Sequence, residues 1–295
     1  MALRRFGTFA RLTCLLVAIA LVAPLHSQAR NFIWKVTGRQ SVVYLVGSVH
    51  ALSADYYPLS PVFDAAFKDS DLLVEEVNLG EMSSPATQMA LLMRGMLPPG
   101  QSLEQILSAA TLARVNKFVG DLGVPIEPLK RFKPWMLAIA LEGIELQKAG
   151  FDPELGLDKH FYDLAQSQSK AVQGLETAEY QISRFDQMTN DQQDRFLAET
   201  LKELESHKAN VDMLAKAWKS GDVSTVERLV LQDLKSDPVM YRRLLVDRNR
   251  NWLPLIESFF NRRGHTFVVV GAAHLVGPDG LLAMLRSRGH LVEQQ

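Results

Sequence analysis

Two histidines in this sequence of 295 residues sit in the same local setting. Val43-Tyr44-Leu45-Val46-Gly47-Ser48-Val49-His50 and Phe267-Val268-Val269-Val270-Gly271-Ala272-Ala273-His274 each place a histidine three residues after a glycine that closes an apolar run. A glycine there permits a tight turn and close backbone approach, so the histidine emerges at the end of a buried strand. Ligands of open α/β sheets bind beyond the carboxyl ends of the strands. If the two strands are parallel neighbours, His50 and His274 converge on one crevice. Neutral imidazoles are common metal ligands, and one carboxylate would complete a facial set with positions left for water. Glu75 and Glu76 close a third apolar run, Leu72-Leu73-Val74. Successive strand residues face opposite ways, so one of the two carboxylates points at such a site. The structural alternatives are hydrogen-bonded histidines and a solvated strand edge.

The elements that must position these residues can be read on both sides of them. Phe32–Val36 and Ser41–Val46 form a hairpin about Thr37-Gly38-Arg39-Gln40. Ser60-Pro61 opens a helix, with Ser as N-cap and Pro at the first helical position. Leu72–Val77 follows as a strand. At the other end come a strand at Thr266–Val270, a helix over Pro278–Ser287 and a strand at His290–Glu293. Each copy is thus strand, Gly-x-x-His, helix and return strand, and the fold class is α/β, with a mixed central sheet built from two such halves. Between them, about Met82 to Pro254 reads as a large helical insertion. Apolar residues recur there at helical spacing over Trp135–Lys148, Phe196–Leu204 and Val226–Leu234, with a short strand-like piece at Ala171–Leu175.

Composition narrows the function. Hydrophobic residues make up 47% and charged residues 22%, ordinary globular usage that excludes fibrous and disordered classes. A net charge of −1 is too balanced for a generic nucleic-acid binder. Residues 1–29 carry Arg4, Arg5 and Arg11 and no acid, then an apolar run from Leu12 to Pro24, then Ser27-Gln28-Ala29. That order marks a secretory signal peptide cleaved near Ala29-Arg30, because the run falls short of the ~20 residues that span a bilayer. The mature chain, 30–295, is then expected in the periplasm or outside the cell, with no stable membrane span. The one cysteine, Cys14, lies in the removed segment. A metal site would therefore be built from His, Asp and Glu.

From about Phe32 to Glu293 the sequence resembles the TraB/PrgY/GumN family, which includes the Tiki metalloproteases and is more distantly similar to erythromycin-esterase-like proteins. The resemblance rests on Tyr44–His50, Leu72–Val77, Gly156-Leu157-Asp158, Gly174-Leu175-Glu176-Thr177, Arg248-Asn249 with Trp252, and above all Gly271-Ala272-Ala273-His274-Leu275-Val276-Gly277-Pro278-Asp279-Gly280. It implies a functional set of two Gly-x-x-His histidines, a glutamate and an arginine, carried here to His50, His274, Glu76 and Arg248. Glu76 is preferred to Glu75 because the family's glutamate stands two residues before an Asp/Asn position, here Asn78. Glu176 and Asp158 are weaker candidates, and Asp158 is read as a capping residue. Arg248 has a surface partner of Asp247 or Glu257 as its bland alternative.

The resemblance implies a metal-dependent hydrolase, a peptidase by similarity to Tiki. A divalent Mn, Co or Zn ion would be held by His50, His274 and Glu76. Glu76 could instead serve as general base, with Glu176 a further candidate, and Arg248 would steady the oxyanion. The substrate would be a peptide or small molecule. The alternative is a non-enzymatic haem-, metal- or peptide-binding accessory protein of the cell envelope. Met82, Met89, Met93 and Met96 form an apolar stripe, read as helix packing, with a pocket lining as the other possibility.

Overall fold

The computed structural model describes residues 30–206, 208–232 and 234–295. The expected signal segment and Cys14 lie outside the described residues. Six strands make one mixed sheet: β1 (Ile33–Thr37), β2 (Val42–Ser48), β3 (Leu72–Glu75), β4 (Ala171–Gly174), β5 (Thr266–Gly271) and β6 (Val292–Gln294). Their order is β4-β3-β5-β2-β1-β6. β4, β3, β5 and β2 run parallel, whereas β1 lies antiparallel to both β2 and β6. The central strands are almost wholly buried, as their continuous Val/Leu runs require of a sheet covered on both faces.

The two Gly-x-x-His strands are direct neighbours, with Gly47 opposite Val270 and Ser48 opposite Gly271. The expected symmetry of the halves stops there. β3 returns to the far side of β5, while β6 crosses to the opposite edge beside β1. The short strand-like piece expected at Ala171–Leu175 within the largely helical middle is β4, which extends the parallel sheet beyond β3.

Register assigns the faces. Glu75 lies opposite Val269, so it shares a face with Phe267 two residues earlier. Phe267 meets Phe67 of α1 (Pro61–Asp69) and Phe161 of α7 (Leu157–Ser167). Those helices therefore cover the Glu75 face. Between them the chain forms α2 (Leu79–Met82), α3 (Pro85–Gly95), α4 (Leu103–Ile106), α5 (Ala109–Leu122) and α6 (Pro134–Lys148). After α7 come α8 (Ala178–Asp186), α9 (Asn190–Ser206), α10 (Lys208–Lys219), α11 (Val223–Leu231) and α12 (Pro238–Tyr241). α13 (Asp247–Phe259), α14 (Ala272–Leu275) and α15 (Leu281–Ser287) complete the set.

A main core of sheet residues with Phe63, Phe161, Trp218 and Trp252 is separate from a smaller one. The smaller core joins Val115 and Phe118 of α5, Leu137 and Leu141 of α6, and Leu197 and Leu201 of α9. The middle of the chain thus has its own apolar centre while remaining tied to the sheet through β4.

Candidate functional site

Arg248, one residue into α13, is 8% exposed and is the hub of the site. Its Nη2 donates to Glu76 Oε2 at 2.5 Å and to Glu176 Oε1 at 2.7 Å. Nε donates to both Glu176 oxygens, at 3.0 and 3.2 Å. Nη1 reaches the Leu244 carbonyl at 3.2 Å and His274 Nε2 at 3.0 Å. Leu244 lies in a π-helical turn, 242–246, that leads into α13. A guanidinium has five N–H groups, and these contacts occupy all of them. Arg248 is therefore neither a surface partner of Asp247 nor, in this arrangement, a donor with a hydrogen to spare for an oxyanion. It locks two carboxylates and a histidine together.

Glu76 is held further by the Gly271 N–H on Oε1 (2.8 Å) and by Gln181 Nε2 on Oε2 (3.2 Å). Glu176 also accepts from Trp252 Nε1 at 2.9 Å. The strand alternation anticipated for the Glu75/Glu76 pair holds: Glu76 turns to Arg248, and Glu75 turns to the α7 face. Glu75 is buried, accepts from Leu79 N at 3.1 Å through Oε2, and leaves Oε1 without a hydrogen-bond partner.

Hydrogen bonding fixes the His274 tautomer. Asn249 Nδ2 donates to the carbonyls of His274 and Asp279 (3.1 and 2.9 Å), so its Oδ1 faces His274 Nδ1 at 2.7 Å. Nδ1 must carry the proton, and Nε2 accepts from Arg248. Burial holds this imidazole neutral, pushing its pKa down to about 3.

His50 is different. Its side chain is 68% exposed, and Nδ1 lies 2.9 Å from Asp158 Oδ2 in the first turn of α7. Asp158 is thus the partner of His50, not the capping residue that the sequence suggests. The pairing depends on Gly156, where a Cβ would stand 2.2 Å from the His50 carbonyl oxygen. Leu157 N donates to Val49 O and Leu52 bridges Asp152, which clamps the two loops. The other nitrogen, Nε2, points over the end of β5. A Cβ at Gly271 would lie 3.2 Å from both His50 Nε2 and Glu76 Oε1. The missing side chain of Gly271 is what lets groups from the two faces of the sheet approach one point.

The electrostatics follow from this layout. Asp158 pushes the His50 pKa up to about 9. Burial alone would raise Glu76, but Arg248, with His274, His50 and the Gly271 N–H, more than offsets it and holds the carboxyl well below the usual range. A carboxylate so stabilised is a poor proton acceptor. Burial raises Glu176 in spite of Arg248, and raises Glu75 to about 8. Glu142 of α6 is also raised by its surroundings, with His50 as its opposing charge partner.

The donors do not form a divalent-metal site as they stand. Among the described residues, no group of three or more His, Cys, Asp or Glu side chains is arranged to hold an ion. His274 Nε2 and Glu76 Oε2 are spent on Arg248, whose positive charge fills the space where a third metal–ligand bond would form. Only His50 Nε2 and one side of Glu76 Oε1 remain open to a common point.

The model of the TraB/PrgY/gumN family matches residues 32–294. The chain belongs to this family. Within it, the chain is similar to the uncharacterized protein YbaP of Escherichia coli strain K12, 26% identical over 243 residues that cover 82% of this chain and 87% of the other. It is also similar to an uncharacterized protein of Treponema pallidum strain Nichols, 21% identical over 290 residues that cover 93% of this chain and 86% of the other. No solved structure matches. For this TraB/PrgY/gumN member the structure brings His50, His274, Glu76, Arg248 and Glu176 to one end of the sheet. Asp158, Asn249, Gln181 and Trp252 join them, with roles that residue type and spacing had not assigned. Asp158, Asn249 and Trp252 stood within recognised motifs, whereas nothing in the sequence marked Gln181.

Proposed function

We propose that this chain is a hydrolase of peptide bonds in which His50, oriented by Asp158, handles the proton at its Nε2. The observation that supports this reading is the exposed His50–Asp158 pair beside the open point over Gly271. A histidine held through Nδ1 by a carboxylate presents its other nitrogen as a general base and acid. Water attacking a substrate carbonyl there would give its proton to Nε2. The tetrahedral centre would then expel the amine, which takes that proton back from His50. Glu76, fixed and anionic, would hold the water through Oε1. Arg248 and His274 would act behind it, keeping Glu76 in place. The N-terminal residues support export to the periplasm or beyond.

A second reading, a divalent-metal hydrolase using His50, His274 and Glu76, is favoured by one observation: His274 Nε2 stands 3.8 Å from Glu76 Oε1. It requires Arg248 to release His274. Turnover of a quenched-fluorescence peptide library by residues 30–295, followed before and after chelation, separates the two. Turnover that survives chelation and is lost in His50→Ala supports the first. About one ion per chain by mass spectrometry, lost in both His50→Ala and His274→Ala, hands the site to the second.

A further inference from the structure

α7 has two working faces. Leu157, Phe161 and Ala165 are buried, and Phe161 packs on Phe67 and Phe267. His160, Asp163, Leu164 and Ser167 recur at spacings of three and four, so they share a second side of the helix. That side lines a cleft of about 490 Å³. Tyr57, from the loop before α1, lines it too, with Glu154 and Leu155 of the helical turn Pro153–Leu155. Sites for small molecules usually enclose about 300–1,000 Å³ and combine apolar walls with a few polar groups.

Both ingredients are present. The Tyr57 and His160 rings lie 5.3 Å apart between centroids. Tyr57 Oη donates to Leu155 O at 2.9 Å, which spends the hydroxyl and leaves the ring as a wall. Tyr57, Leu155, His160 and Leu164 are each half-buried. His160 also packs on Phe161, yet among the described residues neither of its ring nitrogens has a hydrogen-bond partner. Burial pushes its pKa down in spite of Asp64 and Asp163. The ring is therefore neutral at pH 7, with a lone pair to offer a donor.

The charge around the cleft is negative. Glu154 and Asp163 line it, and Asp64 of α1 is near enough to act on His160. Lys159 Nζ lies 2.5 Å from Asp163 Oδ2 but 3.5 Å from Glu154 Oε2. It balances one of three carboxylates and holds Glu154 only loosely. Aromatic and aliphatic walls beside surplus negative charge suit a cation carried on an apolar body. An anionic ligand would meet like charge there.

We propose that this cleft binds a small organic amine, an ammonium group on an aromatic or branched aliphatic body. The ammonium is placed to meet Glu154 and the free nitrogen of His160, and the body to lie against Tyr57, Leu155 and Leu164. The cleft is separate from the His50 site. α7 turns Asp158 to His50, and His160, two residues on, to the cleft. Occupancy therefore does not depend on whether the chain hydrolyses peptides.

Isothermal titration calorimetry of the purified protein with phenethylamine, phenethyl alcohol and hydrocinnamate tests the charge preference. The amine should bind about tenfold tighter than either matched probe. Glu154→Gln combined with Asp163→Asn should weaken it about tenfold. Lys159→Gln should tighten it, because the competing cation is gone. These side chains reach solvent, so the melting temperature should not move. NMR places the amine: the His160 ring protons should shift on titration, and His50→Ala should bind like the parent. Equal binding of amine and alcohol, or a double variant that binds like the parent, overturns the proposal. So does amine binding that is lost in His50→Ala or leaves the His160 ring unmoved. A ten-residue peptide alternating Lys and Phe that binds where phenethylamine does not would also overturn it, since the cleft would then read a polypeptide.

Discussion

Asp158 Oδ2 lies 2.9 Å from His50 Nδ1 across 108 residues of sequence, and this pair decides the pH behaviour of the protein. With the His50 pKa raised to about 9 by Asp158, the imidazole is charged at neutrality. Its base form grows as pH climbs. Peptide turnover should rise about tenfold per pH unit and level off near 9. In Asp158→Asn the plateau should begin lower, nearer the ordinary histidine value of ~6.5. The stability sign is the opposite: a cation whose folded pKa is raised stabilises fully below ~6.5, and that contribution is lost as pH rises through about 9. A pH–rate profile of both proteins checks the first statement, and melting temperatures from pH 6 to 10 check the second. A profile that is flat from pH 6 to 9 removes His50 from the proton transfer.

Arg248 binds two buried carboxylates at once. Removing one partner of a buried ion pair leaves uncompensated charge and costs about 3–5 kcal/mol. Arg248→Met should therefore destabilise the fold by that order in urea unfolding. Arg248→Lys should recover little, since an ammonium cannot reproduce the planar fork that grips Glu176 and reaches Glu76. A lysine variant as stable as the parent would show that charge alone suffices.

Gly271→Ala is the most economical test of the open point. The added methyl would stand 3.2 Å from both His50 Nε2 and Glu76 Oε1, so those groups must give by a few tenths of an ångström. Gly271 closes β5 and caps α14 with φ −50° and ψ 138°, on the negative-φ side open to alanine. Activity should drop by 100-fold or more while the unfolding midpoint moves little. Loss of stability in step with activity would make Gly271 a packing residue and nothing more.

The burial of the two Gly-x-x-His strands was legible because both are unbroken apolar runs ending in glycine; their parallel adjacency, a condition in the sequence, comes from the fold. The choice of Glu76 was legible from strand alternation together with the resemblance. Asp158 was not: an aspartate beside Gly156-Leu157 suggests a cap, and only the folding of the chain between the two residues shows that it meets His50. Arg248 was named, but the saturation of its five N–H groups depends on Glu176 and His274 arriving from separate elements, which no local pattern encodes. Apolar periodicity in α3 suggested packing because sequence cannot tell a face turned to a core from one turned to solvent, where Met89, Leu92 and Met93 stand. The crossing of β6 to the far edge escaped for a related reason: the repeat specified its helix and strand, not which edge remained free.

Glu75 gives the last prediction. It is 2% exposed, its Oε1 has no hydrogen-bond partner among the described residues, and burial raises its pKa to about 8. Between the ordinary glutamate value and about 8 the folded protein holds a proton that the unfolded chain has released. Stability must therefore fall as pH rises across that window, by an amount that integrates to ~5 kcal/mol at most. Glu75→Gln keeps an oxygen for the Leu79 N–H and has no proton to lose. The variant should match the parent near pH 4.5 and exceed it by a few kcal/mol at pH 8, read from urea midpoints at the two values. A gap of the same size at both would mean that Glu75 is charged in the fold, with a cation near Oε1 supplying the missing partner.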